Sequence, residues 1–212
     1  MCVRHRVVGA AAAVALSSHD RRAGAFFGGK REEPRAAPHS GPVTEASALI
    51  SARGICRAAH IGFVITNAPE GAPDCRIMDL HGPWDDSLRV ALVTRAHTRK
   101  AAQLRADARC TVAFHDPRSS GESGYLSLAG RVREVVEPQE RRARWKESWT
   151  LFHTAPEVAG SDVVVYEFTP ERMELVDNDR WLRGENWAPV TLVREKGRWV
   201  PAVRRRPPSE EA

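Results

Sequence analysis

The run Val90-Ala91-Leu92-Val93-Thr94-Arg95-Ala96-His97-Thr98-Arg99-Lys100-Ala101-Ala102-Gln103-Leu104 passes from one kind of backbone to another. Val90 to Val93 are apolar and read as a buried strand that runs out at Thr94. Thr98 is an N-cap residue by type, and Ala101, Ala102, Gln103 and Leu104 are good helix formers. Three cations, Arg95, Arg99 and Lys100, crowd the helix start, where unpaired N–H groups and the macrodipole are already positive. A helix selected for stability alone would carry Asp or Glu there. This one suits an anion, most simply a phosphate.

The neighbouring segments fit the same design. Thr44 and Ser47 precede an amphipathic helical spacing through Leu49, Ile50, Ile55 and Cys56. Ile61 to Thr66 and Cys75 to Leu80 flank the turn residues 67–73, which predicts a hairpin. Gly82-Pro83 and Asp85-Asp86 break the chain before the strand Leu88 to Thr94. A strand from Ala108 to Phe114, a loop at 116–124 and a long alternating strand from Tyr125 to Val136 follow the helix. Gly130 interrupts that long strand at a position suited to a bulge. Pro138 opens a charged helix that puts Trp145 and Trp149 on one face. Asp162 to Thr169 reads as a strand, Pro170-Glu171-Arg172 as a turn, and Met173 to Val176 as its sequel. Glu195-Lys196-Gly197-Arg198 joins Val190–Arg194 to Trp199-Val200 as a hairpin. Six or seven strands, three helices and mostly hairpin connections predict an α+β fold dominated by an antiparallel barrel.

Composition limits the function classes. The 212 residues suit one domain with a sizeable core, plus tails. The formal charge is +5, but residues 1–25 hold four arginines against one aspartate, a net of +3, which leaves +2 for everything after them. A nearly neutral body gives no basic stripe for nucleic acid. Cys2, Cys56, Cys75 and Cys110 share no zinc spacing; Cys2 lies in a segment expected to be removed, and the other three read as reduced thiols. His60, His81, His97, His115 and His153 likewise share no ligand spacing, so no metal site is expected. Ser127 and His153 lack a nucleophile elbow and an orienting acid, and Asp85-Asp86 is a turn rather than a catalytic dyad.

Residues 1–25 combine Arg4 and Arg6 with the apolar run Val7 to Leu16, too short to span a membrane as a mature helix. Arg21-Arg22-Ala23-Gly24-Ala25-Phe26 resembles the bipartite presequence of a complex plastid, with cleavage near Ala25. A membrane anchor or a plain secretory signal are the alternatives. The sequence divides into a targeting segment (1–25), a Gly- and Pro-rich transit lead-in expected to be disordered (26–43), the folded domain (44–203) and a charged tail (204–212) expected to be disordered. No membrane association is expected after processing.

Arg76-Ile77-Met78 in a hairpin strand, Val93-Thr94 ending the next strand and Thr98-Arg99-Lys100 opening a helix together resemble the pyridoxamine 5′-phosphate oxidase superfamily. The likeness runs over residues 45–200 in element order and includes Gly130 and the segment Thr169 to Glu174. It implies the FMN-binding split β-barrel and a homodimer with two flavins across its interface. It also implies that Arg76, Thr98, Arg99 and Lys100 hold the FMN phosphate, and that Met78, Val93 and Thr94 contact the rest of the cofactor. Tyr125 stands where many relatives place a polar flavin contact.

The departures are equally specific. His81 replaces the lysine that contacts pyridoxal in true oxidases, and residues 141–153 carry no counterpart of the Tyr…Arg…Ser substrate cluster. Glu185 and Trp187 fall where an Arg-x-His pair would grip an anionic substrate, and a carboxylate there repels it. Pyridoxamine phosphate oxidation is therefore disfavoured, and the resemblance shifts to general-stress-type FMN-binding proteins. The expected function is a flavin-dependent oxidoreductase acting on an unidentified small molecule. The alternative is a non-catalytic module holding haem, a tetrapyrrole or another cofactor. His81 could face the flavin ring, and Trp181 and Trp187 could line the pocket.

Overall fold

The computed structural model describes residues 44–116, 124–177 and 189–202. The targeting segment, the lead-in, the C-terminal tail, Trp181, Glu185 and Trp187 lie outside them.

Helix α1 (Glu45–Ala59) starts at Thr44, whose side chain accepts the Ser47 N–H. Its apolar stripe of Ala48, Leu49, Ala52, Ile55 and Cys56 is buried in the main core. The hairpin β1 (Ile61–Asn67) and β2 (Pro73–Asp79) comes next, then β3 (Val90–Arg95), α2 (Arg99–Ala106), β4 (Arg109–His115) and β5 (Tyr125–Glu134). A short helix α3 (Pro138–Ala143) and a 3-10 turn (Glu147–Leu151) lead to β6 (Val163–Val176) and the hairpin β7 (Val190–Glu195) and β8 (Arg198–Pro201). Lys196 and Gly197 both have positive φ, 47° and 83°, as a two-residue I′ hairpin turn requires.

The sheet order is β2-β1-β4-β5-β6-β7-β8, with β3 paired to the first half of β6 on the edge that β7 takes further along, opposite β5, and every pairing is antiparallel. One isolated bridge, His81 to Ala91, brings the end of β2 back to β3 and closes a six-stranded barrel. Elsewhere β2 and β3 are not paired. The barrel is split along that seam, the architecture expected from the sequence.

Three expectations need correction. Among the described residues there are eight strands, and β6 runs unbroken through Pro170, where a turn was expected. Pro170 sits opposite Gly130, at the register shift between Ala129 and Gly130, so the bulge absorbs its missing N–H. Gly130 is required there, because a Cβ would lie 2.2 Å from the Thr169 carbonyl oxygen. The charged helix ends at Ala143, since none of its six residues is buried and no side chain caps it. Trp145 and Trp149 still meet edge to face, with ring centroids 5.6 Å apart, but through the 3-10 turn rather than along a helix.

Alternation along β3 and β6 produces two cores. Val90, Leu92, Val164, Tyr166 and Phe168 point into the barrel. Ala91, Val93, Val163 and Val165 point outward and are sealed by Trp149, with Trp145 packed against them.

Candidate functional site

The split is where the cationic helix start lies. Thr94, 2% exposed, is the penultimate residue of β3 and shares a hydrogen bond of 2.9 Å with the Thr98 hydroxyl. Thr98 caps α2 as expected, accepting the Ala101 N–H at 3.4 Å and donating to the Arg95 carbonyl. Helix α2 then crosses to the other lip of the seam. Its buried Gln103 accepts from Thr66 on β1 at 2.7 Å and from the Arg76 guanidinium on β2 at 3.0 Å. The helix thus bridges the strands that the sheet leaves unpaired, and its first-turn N–H groups have no acceptor within the helix.

Arg76 lies on the inward face of β2, paired across the hairpin with Val64. One of its terminal nitrogens donates to Thr66 at 2.6 Å. Burial is the main influence lowering its pKa, and the nearby Asp74 opposes that shift. Lys100 is half-buried, and burial followed by the Arg76 charge lowers its pKa. Its side chain has no hydrogen bond or ion pair among the described residues. Arg99 is 79% exposed, and its Nε lies 3.1 Å from Asp74. Arg76, Thr94, Thr98, Arg99 and Lys100 are therefore brought together around one helix start.

Sequence reasoning missed Asp74. Its carboxylate accepts from Gln103 at 2.5 Å and lies 3.6 Å from Arg76. The Gln103 hydrogen bond, then Arg99 and Arg76, hold its pKa below the ordinary carboxylate value, with partial desolvation opposing them. The sequence signal was Asp two positions before Arg on a strand, which puts both on one face. Gln103, four residues after Arg99, was the matching signal on the helix.

The other expected contacts are placed differently. Met78 is buried in the barrel core, whereas Val93 points outward and packs with Trp149. Tyr125 is not at this helix start. It lies on the outer face of β5, donating to Glu174 at 2.6 Å, while Arg76 faces inward.

At the closed end of the seam, Asp79 accepts from Lys146 at 2.6 Å and from the Trp149 indole N–H at 2.9 Å. His81 meets Trp149 edge to face, and its pKa is lowered by burial and then by Lys146. A cavity of about 580 Å³ opens beside it, lined by His81, Arg89, Arg144 and Glu167 among others. Glu167 is buried and bonded to both Arg133 and Arg144, so this charge is compensated. No metal-binding cluster occurs among the described residues.

The family model for pyridoxamine 5′-phosphate oxidase matches residues 51–177. The chain belongs to that family. No curated protein sequence matches it. Among solved structures, it resembles a Clostridium acetobutylicum protein related to general stress protein 26 of B. subtilis. The TM-score is 0.56 at 17% identity, over 71% of this chain and 96% of that one. A pyridoxamine 5′-phosphate oxidase-related, FMN-binding protein from Nostoc punctiforme gives 0.56 at 16%, over 74% and 95%. A heme-binding protein from Mycobacterium smegmatis gives 0.56 at 19%, over 71% and 60%. At these identities the likeness is one of fold, and the two last-named structures differ in the cofactor that each is described as binding.

Proposed function

We propose that this family member is an FMN-binding flavoprotein and a flavin-dependent oxidoreductase for a small molecule other than pyridoxamine phosphate. The observation that carries this reading is the half-buried Lys100, without an anionic partner among the described residues, beside Arg76 and the α2 N-terminus. A cation kept from water gains from an anion placed beside it. The donor set fits a terminal phosphate. Guanidinium groups offer paired planar donors, Lys100 offers a compact charge, and the helix start offers N–H groups. Thr98 holds the first turn in place, and Thr94 fixes Thr98 from the strand side.

When bound, FMN supplies electron or hydride transfer. The chain's own residues hold its phosphate end and exclude water. Asp79, Lys146 and Trp149 fix the wall at the closed end of the seam, where burial and then the Lys146 charge lower the pKa of His81. No lysine is present at that position to receive a pyridoxal phosphate.

The outer faces of β1 and β2 support a homodimer. Phe63 and Ile77 are direct cross-strand partners, 41% and 61% exposed, with Ile61 beside them at 51%. We assign this face to a second copy. Residues 1–25 are assigned to plastid import, which a fluorescent fusion of that segment tests.

Titration of the purified chain with FMN, followed by quenching of flavin fluorescence, tests the main reading. Submicromolar binding that weakens about a hundredfold or more when Arg76, Arg99 and Lys100 are all replaced by Ala supports it. Unchanged affinity in that triple variant abandons it. The second reading, a haem or tetrapyrrole module, is favoured by the heme-binding protein of the same fold. A Soret band after haem addition, with no response to FMN, would establish that reading instead.

A further inference from the structure

The phosphate cradle contains its own anion. Asp74 takes a hydrogen bond from Gln103 at 2.5 Å and lies 3.1 Å from Arg99 and 3.6 Å from Arg76. The cations expected to meet a phosphate thus already share a carboxylate, and Lys100 is the one left without an ion pair among the described residues. For stability alone, Asp74 serves chiefly Arg76, whose side chain is 17% exposed. Arg99 is 79% exposed, where an ion pair contributes little to stability. Arg76 is already held by Thr66 and Gln103.

We propose that Asp74 is a built-in competitor for the ligand's phosphate, a specificity-determining residue that limits how strongly the cradle prefers a phosphorylated flavin. The proposal rests on the reading of this site as a phosphate cradle. Two effects act in the same direction. A phosphate drawn to Arg76 and Arg99 must displace or share a carboxylate already bound to them. It must also sit beside that carboxylate, and like charges at short range repel, most strongly where water is partly excluded. Arg76, Arg99, Lys100 and Asp74 together carry a net of +2, enough for one phosphomonoester dianion and no more. Without the carboxylate the cradle would hold +3 and take phosphate more tightly.

The opposing role is that of an organiser, in which Asp74 holds Arg99 and Gln103 ready for the ligand. Asp74→Asn separates the two, because Asn keeps one oxygen acceptor for the Gln103 amide while the charge and the second oxygen are lost. FMN and riboflavin, which differ by the phosphate alone, are titrated against the full chain and the variant by flavin fluorescence. The expected result is FMN binding tightened roughly tenfold with riboflavin binding unchanged, so that the ratio of the two affinities rises by the same factor. Asp74→Ser is the replacement if the Asn variant does not fold. FMN binding that is equal or weaker in the folded variant overturns this inference and leaves the FMN reading standing. Failure of FMN to bind either protein overturns the cradle reading and this inference with it.

Discussion

Single residues in this fold are set by what their backbone or side chain cannot avoid. Gly130 is the clearest case, since a Cβ would meet the Thr169 carbonyl oxygen at 2.2 Å and the Pro170 Cα at 2.8 Å. Both are backbone atoms, so nothing nearby can rotate away. Gly130→Ala is expected to cost about 2–3 kcal/mol, the scale of overpacking in a closed interior, measured by urea unfolding. An unchanged midpoint would show that the bulge is not held this tightly. The thiols divide by exposure in the same way. Burial pushes Cys56 and Cys110 up to about 12, while Cys75 is exposed on the outer face of β2. Cys75→Ser should therefore remove one fast-reacting thiol from a DTNB assay, and Cys56→Ser or Cys110→Ser should remove none.

Two histidines make stability depend on pH. Burial, then the Arg95 and Lys100 charges, lowers His153, and burial, then Lys146, lowers His81. The unfolded chain titrates these imidazoles near ~6.5. Below that value the unfolded state takes up protons that the folded state refuses, so stability falls as pH drops through ~6.5 and is unaffected above it. The shifted carboxylates Asp74, Asp85 and Glu140 act in a lower window, because their folded pKa values lie below the ordinary carboxylate value. Their contribution is present above ~4 and is lost in more acid solution. A His81→Gln, His153→Gln variant should flatten the unfolding midpoint between about pH 7 and 5. A slope equal to that of the parent would refute the assignment.

At the scale of elements, legibility followed period and caps. The Thr44 and Thr98 caps, the β1–β2 and β7–β8 hairpins and the Gly130 bulge were readable because each depends on residues close in sequence. Pro170 was misread because its tolerance depends on Gly130, forty positions away, whose bulge frees it from the ladder. Asp74 was missed for a related reason. Its partners lie on a helix 25 and 29 residues on, and only the packing of α2 across the seam makes them neighbours. The 145–151 segment was read as helix because nothing local shows that Asp79 on β2 anchors it. Asp79→Ala leaves the indole N–H of Trp149, itself 2% exposed, without its acceptor. The expected cost is about 1–3 kcal/mol, with faster amide exchange confined to residues around 145–151. Exchange that stays slow there would mean that the outer apolar cluster alone holds the segment.

For the whole molecule, the question is what covers the sheet's outer surface. The barrel interior is filled, and the outer faces of β3 and β6 are sealed by Trp149. On the outer face of β1 and β2, Lys146 and Trp149 reach Asp79, and the apolar side chains beyond it stay exposed. Phe63 and Ile77 stand opposite each other there, with Ile61 two residues away on the same face. Adjoining positions on β4 and β5 are small, namely Ala113, Ser127 and Ala129, which lets a flat partner approach closely. Tyr125 lies on this same outer side, the side opposite Arg76, so a paired copy is the route by which it could take the flavin contact that the family resemblance gave it. Charge placed at the centre of such a face opposes association without touching the barrel core. Ile77→Lys is therefore expected to convert a dimer of about twice the 23.5 kDa chain mass into monomer by sedimentation velocity, with the circular dichroism spectrum unchanged. Because the inward cradle of Arg76, Lys100 and α2 stays intact in that variant, its FMN affinity shows whether the second copy completes the site. Weaker binding by the monomer assigns part of the cofactor contact to the partner. A parent protein that already sediments as a monomer, or a variant that remains a dimer, would remove this face from the account of how two chains meet.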